Sequence, residues 1–482
     1  MSDEFETIIT KIRHEDDSEA HKILRSFLGN QHKHAGEKKD VTPGLQAPGA
    51  TGVIYCSDRA AANGFTNNED PEWANLGQGA PEVGDLPGGP ERPKGIDFTQ
   101  FGIDIHEYAP TTGVKELREA VANLYNVEYR QNSESKYTFE NVCIVPGGRA
   151  GLSRVAAVIG DVYTGYQIPE YTSYSEVLGV FKRLIPVPSA LKAEDNYRLN
   201  IDQLRNDIRL MSLHVIVASN PRNPTGQVID GEELKELVRL GDGQTTIVLD
   251  EFYSWYQYNG EEGKSVSGAQ YVDDVNKDSV VIIDGLTKGF RLPGWRVCWV
   301  VGPKPLISAI SQSGSFLDGG ANHPLQMAAI PLLDPERVKQ DRLALQRAFK
   351  KKRDHVLARL AAMGLEVKVP PQATFYIWLD LEALGAPLHD GLTFFEELLK
   401  EKCIVVPGIF FDINPSHRRN LLDSPCRHFV RLSFGPRMEV LDRGLDAIER
   451  VLKNHRQSGT AGTGYRPSQD HGEHPGTKGH TI

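Results

Sequence analysis

Lys288 and Arg296 lie eight residues apart in the segment DGLTKGFRLPGWRV (284–297), which directly follows an apolar run. Alone, Lys288 could be a solvated strand end, whereas Arg296, held by a Pro-Gly turn, is a candidate for two-pronged binding of a phosphate. Arg431 lies within the apolar run FVRLSFG (429–435), where an unpaired guanidinium would be costly. Arg431 therefore needs an anion, which could be a structural carboxylate or the carboxylate of a substrate.

Asp250 ends another apolar run, in TIVLDEFYSWY (246–256). A carboxylate there is costly unless it is paired, and Tyr253 could donate a hydrogen bond close to it. The pattern could also hold magnesium in an ATPase, but that function needs a G-x-x-x-x-G-K-[ST] loop upstream, which this sequence lacks. A partner cation inside a binding site is the better interpretation of Asp250.

Two loops have an unusual backbone. In VPGGRAGL (145–152), Gly147 and Gly148 would let the backbone approach a phosphate at a helix N-terminus, although an ordinary glycine turn is the better explanation of this motif by itself. In SNPRNPTG (219–226), two Asn-Pro pairs fix a rigid loop that directs Asn223. A simple turn needs neither proline, so this second loop favours a functional role.

These motifs follow short apolar runs that alternate with helical patterns such as GEELKELVRLG. The runs are NVCIVPGG, LHVIVASNP, TTIVLDEFY, DSVVIIDGL and RVCWVVGP. Runs that are apolar throughout are typical of strands buried on both faces of a mostly parallel sheet, and ligands collect beyond the carboxyl ends of such strands. The sequence thus predicts an α/β domain. A long amphipathic helix, ERVKQDRLALQRAFKKKRDHVLARLAAMG, leads into a smaller α+β domain.

The ends of the chain differ from its middle. Residues 1–75 form a predicted N-terminal extension, with an amphipathic helix over residues 5–28 and a turn-rich arm after it. Residues 456–482 have almost no aliphatic side chains, which predicts a disordered tail. Three histidines of this tail could bind a metal, but a solvated polar tail is the simpler interpretation, and no metal site is predicted. They are His471, His474 and His480.

Composition and charge exclude several classes of protein. The net charge of −10 is spread along the chain and no basic stripe indicates nucleic acid. The five cysteines include no C-x-x-C pair, which is typical of reduced thiols. No apolar stretch reaches the ~18 residues that span a bilayer, and the acidic-polar N-terminus lacks the order of a secretion signal. We therefore expect a cytoplasmic protein that contacts no membrane.

Taken in order, the motifs G-G, N-P-x-N-P-T-G, D-E-x-Y, T-K-x-x-x-x-P-G-x-R and a late arginine in an apolar run resemble those of fold-type I, class I/II aminotransferases. The resemblance extends over about residues 75–455. It implies the cofactor pyridoxal 5′-phosphate, amino-acid and 2-oxo-acid substrates, and a seven-stranded, mostly parallel sheet. It also implies a large cofactor-binding domain over residues 126–334 and a small, substrate-closing domain built from residues 76–125 and 335–455.

The resemblance assigns roles to individual residues. Lys288 would carry the cofactor as an internal aldimine and then move the α-proton, which requires a neutral amine. Asp250 would pair with the pyridine nitrogen. Asn223 and Tyr253 would hydrogen-bond the phenolic oxygen, and the ring of Tyr171, in IPEYTSY, would stack on the cofactor.

Other positions match the phosphate and substrate contacts of the family. Tyr108, in HEYAPTTG, matches a tyrosine that reaches the phosphate of the other subunit, which implies a homodimer with shared sites. Arg431 would clamp the substrate α-carboxylate. The loop LGQGAP (76–81) matches the substrate-side loop, with Gly77 and Gly79 near the site. The remaining phosphate contacts would be Gly147, Gly148, Arg149, Thr287 and Arg296.

Two positions depart from the family pattern. Gly285 occupies the place of a serine that usually contacts the phosphate, so Thr287 and the glycine loop would have to suffice. Where well-known aspartate aminotransferases carry an arginine for the distal carboxylate, the neighbourhood of GGANHPLQ offers only Asp318. This departure favours a neutral or basic amino acid as substrate, unless Asp318 caps a helix instead.

Two other functions fit the same residues. A lyase, a cyclopropane-forming synthase or an oxidase would share Lys288, Asp250 and Arg431 with a transaminase and differ in the bond that is broken. A non-enzymatic ligand sensor would need an N-terminal DNA-binding domain, for which the first 75 residues are too turn-rich and too weakly basic. We expect an aminotransferase.

Overall fold

The structure is a computed structural model that describes residues 20, 22–23, 52–181, 184–241, 243–415, 419 and 423–461. Most of the predicted helix over residues 5–28, the arm that follows it and residues 462–482 of the predicted tail lie outside the described residues.

A seven-stranded sheet forms the centre of the protein, in the order β2-β8-β7-β6-β5-β3-β4. Strand β8 runs antiparallel to both of its neighbours, and the other neighbours are parallel. The prediction of a mostly parallel, seven-stranded α/β sheet is therefore confirmed. The strands are β2 (Val142–Val145), β3 (Tyr163–Ile168), β4 (Ile185–Ala190), β5 (Leu213–Ser219), β6 (Thr246–Asp250), β7 (Val280–Gly285) and β8 (Cys298–Val301).

The five apolar runs of the sequence are the strands β2, β5, β6, β7 and β8, which are almost wholly buried. The sequence did not predict β3 and β4. Strand β3 carries polar and glycine residues (YTGYQI), and β4 (IPVPSA) contains Pro186 and Pro188. Proline removes a ladder donor, and β4 tolerates two prolines because it lies at the edge of the sheet.

Helices flank this sheet and connect its strands. Asp334 caps the long helix α9 by accepting a hydrogen bond from the backbone N–H of Arg337 (3.0 Å). The predicted helices GEELKELVRLG and ERVKQ…AAMG correspond to α6 and α9. The helices are α1 (Gly52–Ala62), α2 (Lys115–Tyr129), α3 (Gly148–Val158), α4 (Ser173–Val180), α5 (Ile201–Met211), α6 (Gly231–Arg239), α7 (Lys304–Leu317), α8 (His323–Ala329), α9 (Pro335–Ala362), α10 (Gly391–Lys400) and α11 (Met438–Ala461).

Two smaller sheets lie beside the large one. Strands β9 (Tyr376–Asp380), β11 (Val406–Pro407) and β12 (Phe429–Ser433) form an antiparallel sheet in the order β11-β12-β9. Strands β1 (Ala74–Asn75) and β10 (Cys403–Ile404) form a short parallel pair. Arg431 lies on the central strand of the three-stranded sheet, opposite Trp378 of β9. The seven-stranded sheet and the three-stranded sheet thus position different parts of the predicted site.

Helix α1, from the predicted N-terminal extension, packs firmly on the rest of the protein. Tyr55 is fully buried, with its ring centroid 5.3 Å from that of Phe410 and 6.2 Å from that of Phe395. Arg59 donates two hydrogen bonds to Glu396 of α10, at 2.8 and 2.7 Å. At the other end of the chain, α11 continues to Ala461, within the predicted tail.

Within the described ranges, no helix is both long enough and apolar enough to cross a membrane.

We expect Tyr55→Ala to lower the free energy of unfolding by about 3–5 kcal/mol, because it deletes a fully buried ring from the contact between α1 and α10. Ile54→Ala is the matched control, since Ile54 lies in the same helix but is 48% exposed. Urea unfolding of both variants measures the difference. Equal losses of stability would show that α1 does not pack as described.

Candidate active site

The carboxyl ends of β5, β6 and β7 meet at a cavity of about 420 Å³, a volume within the usual range of small-molecule sites. Lys288, Asp250 and Arg431 reach this cavity from two different sheets. Most of the residues predicted to form a site therefore come together. Those that line the cavity are Gly79, Gly148, Arg149, Tyr171, Asn223, Asp250, Tyr253, Thr287, Lys288, Arg296 and Arg431.

Lys288 follows β7 and its buried side chain lines the cavity. Its Nζ donates a hydrogen bond to the carbonyl oxygen of Gly79 and lies 5.9 Å from the ring centroids of Tyr253 and Phe375. Burial and the nearby guanidinium of Arg431 lower the pKa of Lys288 to about 7, against the opposing effect of Asp250. Near neutral pH, a large share of this amine is therefore neutral and nucleophilic.

Asp250 is the last residue of β6 and is 5% exposed. Its Oδ2 accepts a hydrogen bond of 3.0 Å from the hydroxyl of Tyr174, on α4. Burial raises the pKa of Asp250 to about 6, and the hydrogen bond from Tyr174 opposes this rise. The carboxylate can thus be ionised near neutral pH, but it gains from a cationic partner in the cavity.

The loop between β2 and α3 has the geometry of an anion site. Gly147 adopts a φ of 105°, and a Cβ at this position would overlap Nη2 of Arg296. A Cβ at Gly148 would lie 2.5 Å from the ring of Phe252. Glycine at both positions therefore lets Arg296 and the N-terminus of α3 approach the same point, where the helix dipole and free backbone N–H groups favour a phosphate.

Position 285, where the family usually has serine, is glycine for a steric reason. A Cβ at Gly285 would lie 2.5 Å from both Cα and Sγ of Cys298, its partner in the adjacent strand β8. The hydroxyl of Thr287 is 3.2 Å from the same sulfur atom. A serine at position 285 would therefore push β7 away from β8. Replacing Gly285 with the serine that is usual in the family would not restore the phosphate contact without moving the strand.

Arg431 is 2% exposed, and its hydrogen-bond acceptors among the described residues are both neutral. Nη1 donates to Oδ1 of Asn223 (3.0 Å) and Nη2 to the carbonyl oxygen of Gly77 (2.9 Å), while the buried Nε has no partner in this part of the chain. The guanidinium lies 4.1 Å from the ring centroid of Tyr376. Of the two anions that the sequence left open, a carboxylate from outside the chain fits these contacts.

The sequence interpretation missed several residues around the cavity, among them Tyr174, Tyr376 and Val53. Tyr174 contacts Asp250 as described above. Tyr376, on β9, lines the cavity and its hydroxyl lies 2.8 Å from that of Tyr253. Val53 of α1 also lines the cavity. The second tyrosine of EYTSY and the aromatic pair in TFYIW were visible in the sequence, but aromatic residues in apolar runs usually belong to the core.

Two predicted positions lie away from the cavity. Asp318 is held at the end of α7, where Oδ2 accepts a hydrogen bond of 2.9 Å from Nε of the buried Arg154 and Oδ1 accepts one from the Gly320 N–H (2.9 Å). Asp318 is therefore occupied by Arg154 and does not line the cavity. Tyr108 is 94% exposed and does not line the cavity of its own chain either.

The family model described as aminotransferase class I and II matches residues 72–448. The chain belongs to this family. The aspartate aminotransferase of Sulfolobus acidocaldarius is 27% identical over 426 residues, covering 86% of this chain and 98% of that protein. The aspartate/prephenate aminotransferase of Thermus thermophilus is 28% identical over 352 residues, covering 72% of this chain and 83% of that protein.

Solved structures share the fold. The N-succinyldiaminopimelate aminotransferase from Mycobacterium tuberculosis has a TM-score of 0.69 at 22% identity, covering 83% of this chain and 97% of that one. The aspartate aminotransferase from Thermus thermophilus with maleate has a TM-score of 0.68 at 23% identity, covering 85% of this chain and 100% of that one.

Membership of the family makes the chain a pyridoxal-phosphate-dependent aminotransferase, as the motifs predicted. The residues present fit this cofactor. The cavity offers a lysine amine of lowered pKa, a buried carboxylate in need of a cation and a glycine-lined cradle for a phosphate. The amine suits the aldehyde of pyridoxal phosphate, the carboxylate suits its pyridine nitrogen, and the cradle suits its phosphate.

Covalent capture of pyridoxal phosphate by the apoprotein should accelerate as pH rises, with an inflection near pH 7, because only the neutral amine of Lys288 attacks the aldehyde. Stopped-flow absorbance between pH 5.5 and 9.5 measures the rate. In Arg431→Met the inflection should move to higher pH, since Arg431 lowers the pKa of Lys288. A rate that shows no inflection near pH 7 and still rises steeply at pH 9.5, as for an ordinary lysine of pKa about 10.4, would contradict the described burial.

Proposed function

We propose that Lys288, Asp250 and Arg431 form the catalytic centre for exchange of an amino group between an amino acid and a 2-oxo acid. The observation that carries this proposal is the amine of Lys288, which is buried in one cavity with both Asp250 and Arg431 and has a pKa of about 7. A structural lysine would keep its charge and reach solvent. A buried neutral amine between an anion and a cation is suited to moving protons.

When bound, pyridoxal phosphate supplies an electron sink for the α-carbanion and stores the amino group between the two halves of the reaction. The neutral Nζ of Lys288 would remove the proton from the α-carbon of the substrate and return it at the next step. The carboxylate of Asp250, held by Tyr174, would keep a proton on the ring nitrogen. Tyr253 and Asn223 would hydrogen-bond the phenolic oxygen, and Tyr171 would pack against the ring.

Arg431 would orient the substrate. Its Nε has no partner among the described residues, and its two Nη atoms donate hydrogen bonds to Asn223 and Gly77. Together these N–H groups form the fork that can bind a carboxylate with two parallel hydrogen bonds. The ring of Tyr376 fixes the plane of the guanidinium. A substrate held there by its α-carboxylate would present its α-carbon to Lys288, which lines the same cavity, and Gly79 leaves room for it.

The two sheets explain the predicted division of the chain. Asp250 ends one strand of the seven-stranded sheet and Lys288 follows the neighbouring strand β7, whereas Arg431 and Tyr376 belong to the three-stranded sheet. A substrate that contacts both groups would draw residues 76–125 and 335–455 toward residues 126–334. This supports the proposal that these segments form a small domain that closes over the substrate.

The proposed enzyme is a homodimer with shared active sites. Tyr108 is 94% exposed, and Phe98, Ile103 and Phe316 are 52, 80 and 74% exposed. His323 at the start of α8 lies 3.1 Å from the carbonyl oxygen of Glu107, so the segment that carries Tyr108 packs on α8. Large apolar side chains that are this exposed favour an interface with another chain. Five buried thiols without a disulfide support a cytoplasmic location.

The substrate side chain follows from the walls of the cavity. The names of several relatives refer to aspartate, but the sequence segment around Asp318 and GGANHPLQ contains no arginine that could bind a distal carboxylate. Asp318 in turn pairs with Arg154, so it does not favour a basic amino acid. Val53, Ala80 and Tyr376 line the cavity. We therefore propose a neutral amino acid as the donor.

A single half-reaction tests the proposed chemistry. The holoenzyme is mixed with each of the proteinogenic L-amino acids without a 2-oxo-acid acceptor, and cofactor absorbance, 2-oxo acid and ammonia are followed. A transaminase releases one equivalent of 2-oxo acid per site, forms no ammonia and stops. Ammonia or another leaving group that accumulates over many turnovers would instead show a lyase on the same scaffold, and would contradict the proposal.

Hybrid dimers test the shared site. Tyr108→Ala should weaken cofactor binding, and Lys288→Ala should abolish covalent capture. In a mixed dimer of the two variants, one site combines Lys288 of one protomer with Tyr108 of its partner. We expect that this site binds pyridoxal phosphate with wild-type affinity, measured by titration of the purified hybrid. If the hybrid binds as weakly as the Tyr108→Ala homodimer, Tyr108 does not act across an interface.

A further inference from the structure

The residue between the two Asn-Pro pairs of SNPRNPTG is Arg222, and it forms a fully buried ion pair with Glu170. Glu170 is 0% exposed and Arg222 is 2% exposed, with Nη1 of Arg222 3.4 Å from Oε2 of Glu170. Glu170 follows β3 and Arg222 follows β5, which are neighbouring parallel strands. The pair thus lies at the same edge of the sheet as the cavity, yet neither residue lines it.

The carboxylate of Glu170 holds two segments of the cavity wall. Oε1 accepts a hydrogen bond of 2.9 Å from the N–H of Tyr171 and another from the hydroxyl of Ser219. Oε2 accepts a hydrogen bond of 3.2 Å from the N–H of Ser219, beside its contact with Arg222. Tyr171 and Ser219 both line the cavity. A single carboxylate therefore connects the aromatic wall to the start of the Asn-Pro loop.

The connection continues to the residue proposed to bind substrate. The hydroxyl of Ser219 accepts a hydrogen bond of 3.3 Å from the N–H of Asn223, and Oδ1 of Asn223 accepts one of 3.0 Å from Arg431. An unbroken series of contacts thus runs from Glu170 through Ser219 and Asn223 to Arg431.

A purely structural ion pair explains these observations less well. Burial raises the pKa of Glu170 to about 7, with Arg222 opposing the rise, so the pair is costly where it lies. Nη2 of Arg222 is buried and has no partner among the described residues, so the arginine is not completely satisfied either. Buried polar groups that are retained despite such a cost are typical of sites that need fixed geometry.

We propose that Glu170, charge-balanced by Arg222, is a positioning residue that sets the ring of Tyr171 for the cofactor and the amide of Asn223 for Arg431. It touches neither substrate nor cofactor and acts through the backbone N–H of Tyr171 and through the N–H and the hydroxyl of Ser219. The inference rests on the proposed roles of Tyr171, Asn223 and Arg431.

Glu170→Gln tests the proposal with little change of volume. The amide nitrogen that replaces Oε2 would face two donors, the Ser219 N–H and the Arg222 guanidinium, so the wall would shift. The matched control is Glu128→Gln, which removes the negative charge beside another buried arginine, Arg342 (2.8 Å), away from the cavity. Three quantities are measured: the Kd for pyridoxal phosphate by dialysis of the holoenzyme, the KM of the best donor amino acid in the half-reaction panel, and Tm.

In Glu170→Gln we expect the Kd for pyridoxal phosphate and the KM of the amino acid both to rise by about 10- to 100-fold, as for other small displacements of a reacting geometry. Glu128→Gln should lower Tm but keep Kd and KM within about twofold, since distant sites act independently. If Glu170→Gln lowers Tm and changes Kd and KM no more than Glu128→Gln does, the pair is only structural and the inference is overturned.

Two further variants keep the result interpretable. If Glu170→Gln does not fold, Ser219→Ala removes the hydroxyl that joins Glu170 to the Asn223 N–H, and it should raise KM several-fold while wild-type values would overturn the inference. Arg431→Ala serves as the reference for the site itself. An unchanged KM in Arg431→Ala would refute the proposed site, whereas a raised KM there with an unchanged KM in Glu170→Gln would refute only the positioning role.

Discussion

The burial of one primary amine is the constraint on which the rest of this site depends. Lys288 must lose its charge near neutral pH to act as a nucleophile and a base, and the structure achieves this by burial and by the guanidinium of Arg431. Arg431 in turn has no carboxylate partner among the described residues, and it stays buried because Asn223 and Gly77 accept its hydrogen bonds and the Tyr376 ring packs against it. The substrate carboxylate would complete its coordination, so binding and chemistry use the same electrostatic arrangement.

Close backbone approach is the second requirement. At Gly147 and Gly148 any side chain would collide with Arg296 or Phe252, and at Gly285 with Cys298 of the neighbouring strand. The first two glycines bring an arginine and a helix N-terminus to one point, which suits a phosphate. The third keeps β7 and β8 paired directly before Lys288. These positions explain why a sheet of ordinary apolar strands ends in glycine and proline at its functional edge.

Much of this arrangement could be predicted from the sequence, because the five buried strands are uniformly apolar and the motifs at their ends have restricted spacing. Strands β3 and β4 could not, since glycine, polar residues and two prolines hide them and edge position is a tertiary property. Tyr174 and Tyr376 looked like core residues, and Val53 reaches the cavity only because α1 docks on α10. The roles of Asp318 and of the Glu170–Arg222 pair depend on partners far away in the chain.

The most direct test of the account is to locate the covalent attachment of the cofactor. The holoenzyme is reduced with borohydride, digested, and its peptides are analysed by mass spectrometry for the added pyridoxyl phosphate. The account predicts the label on Lys288 alone, at one equivalent per chain, and its absence from Lys288→Ala. A label on another lysine, or a reduced holoenzyme without any label, would contradict the assignment of Lys288 and the site built around it.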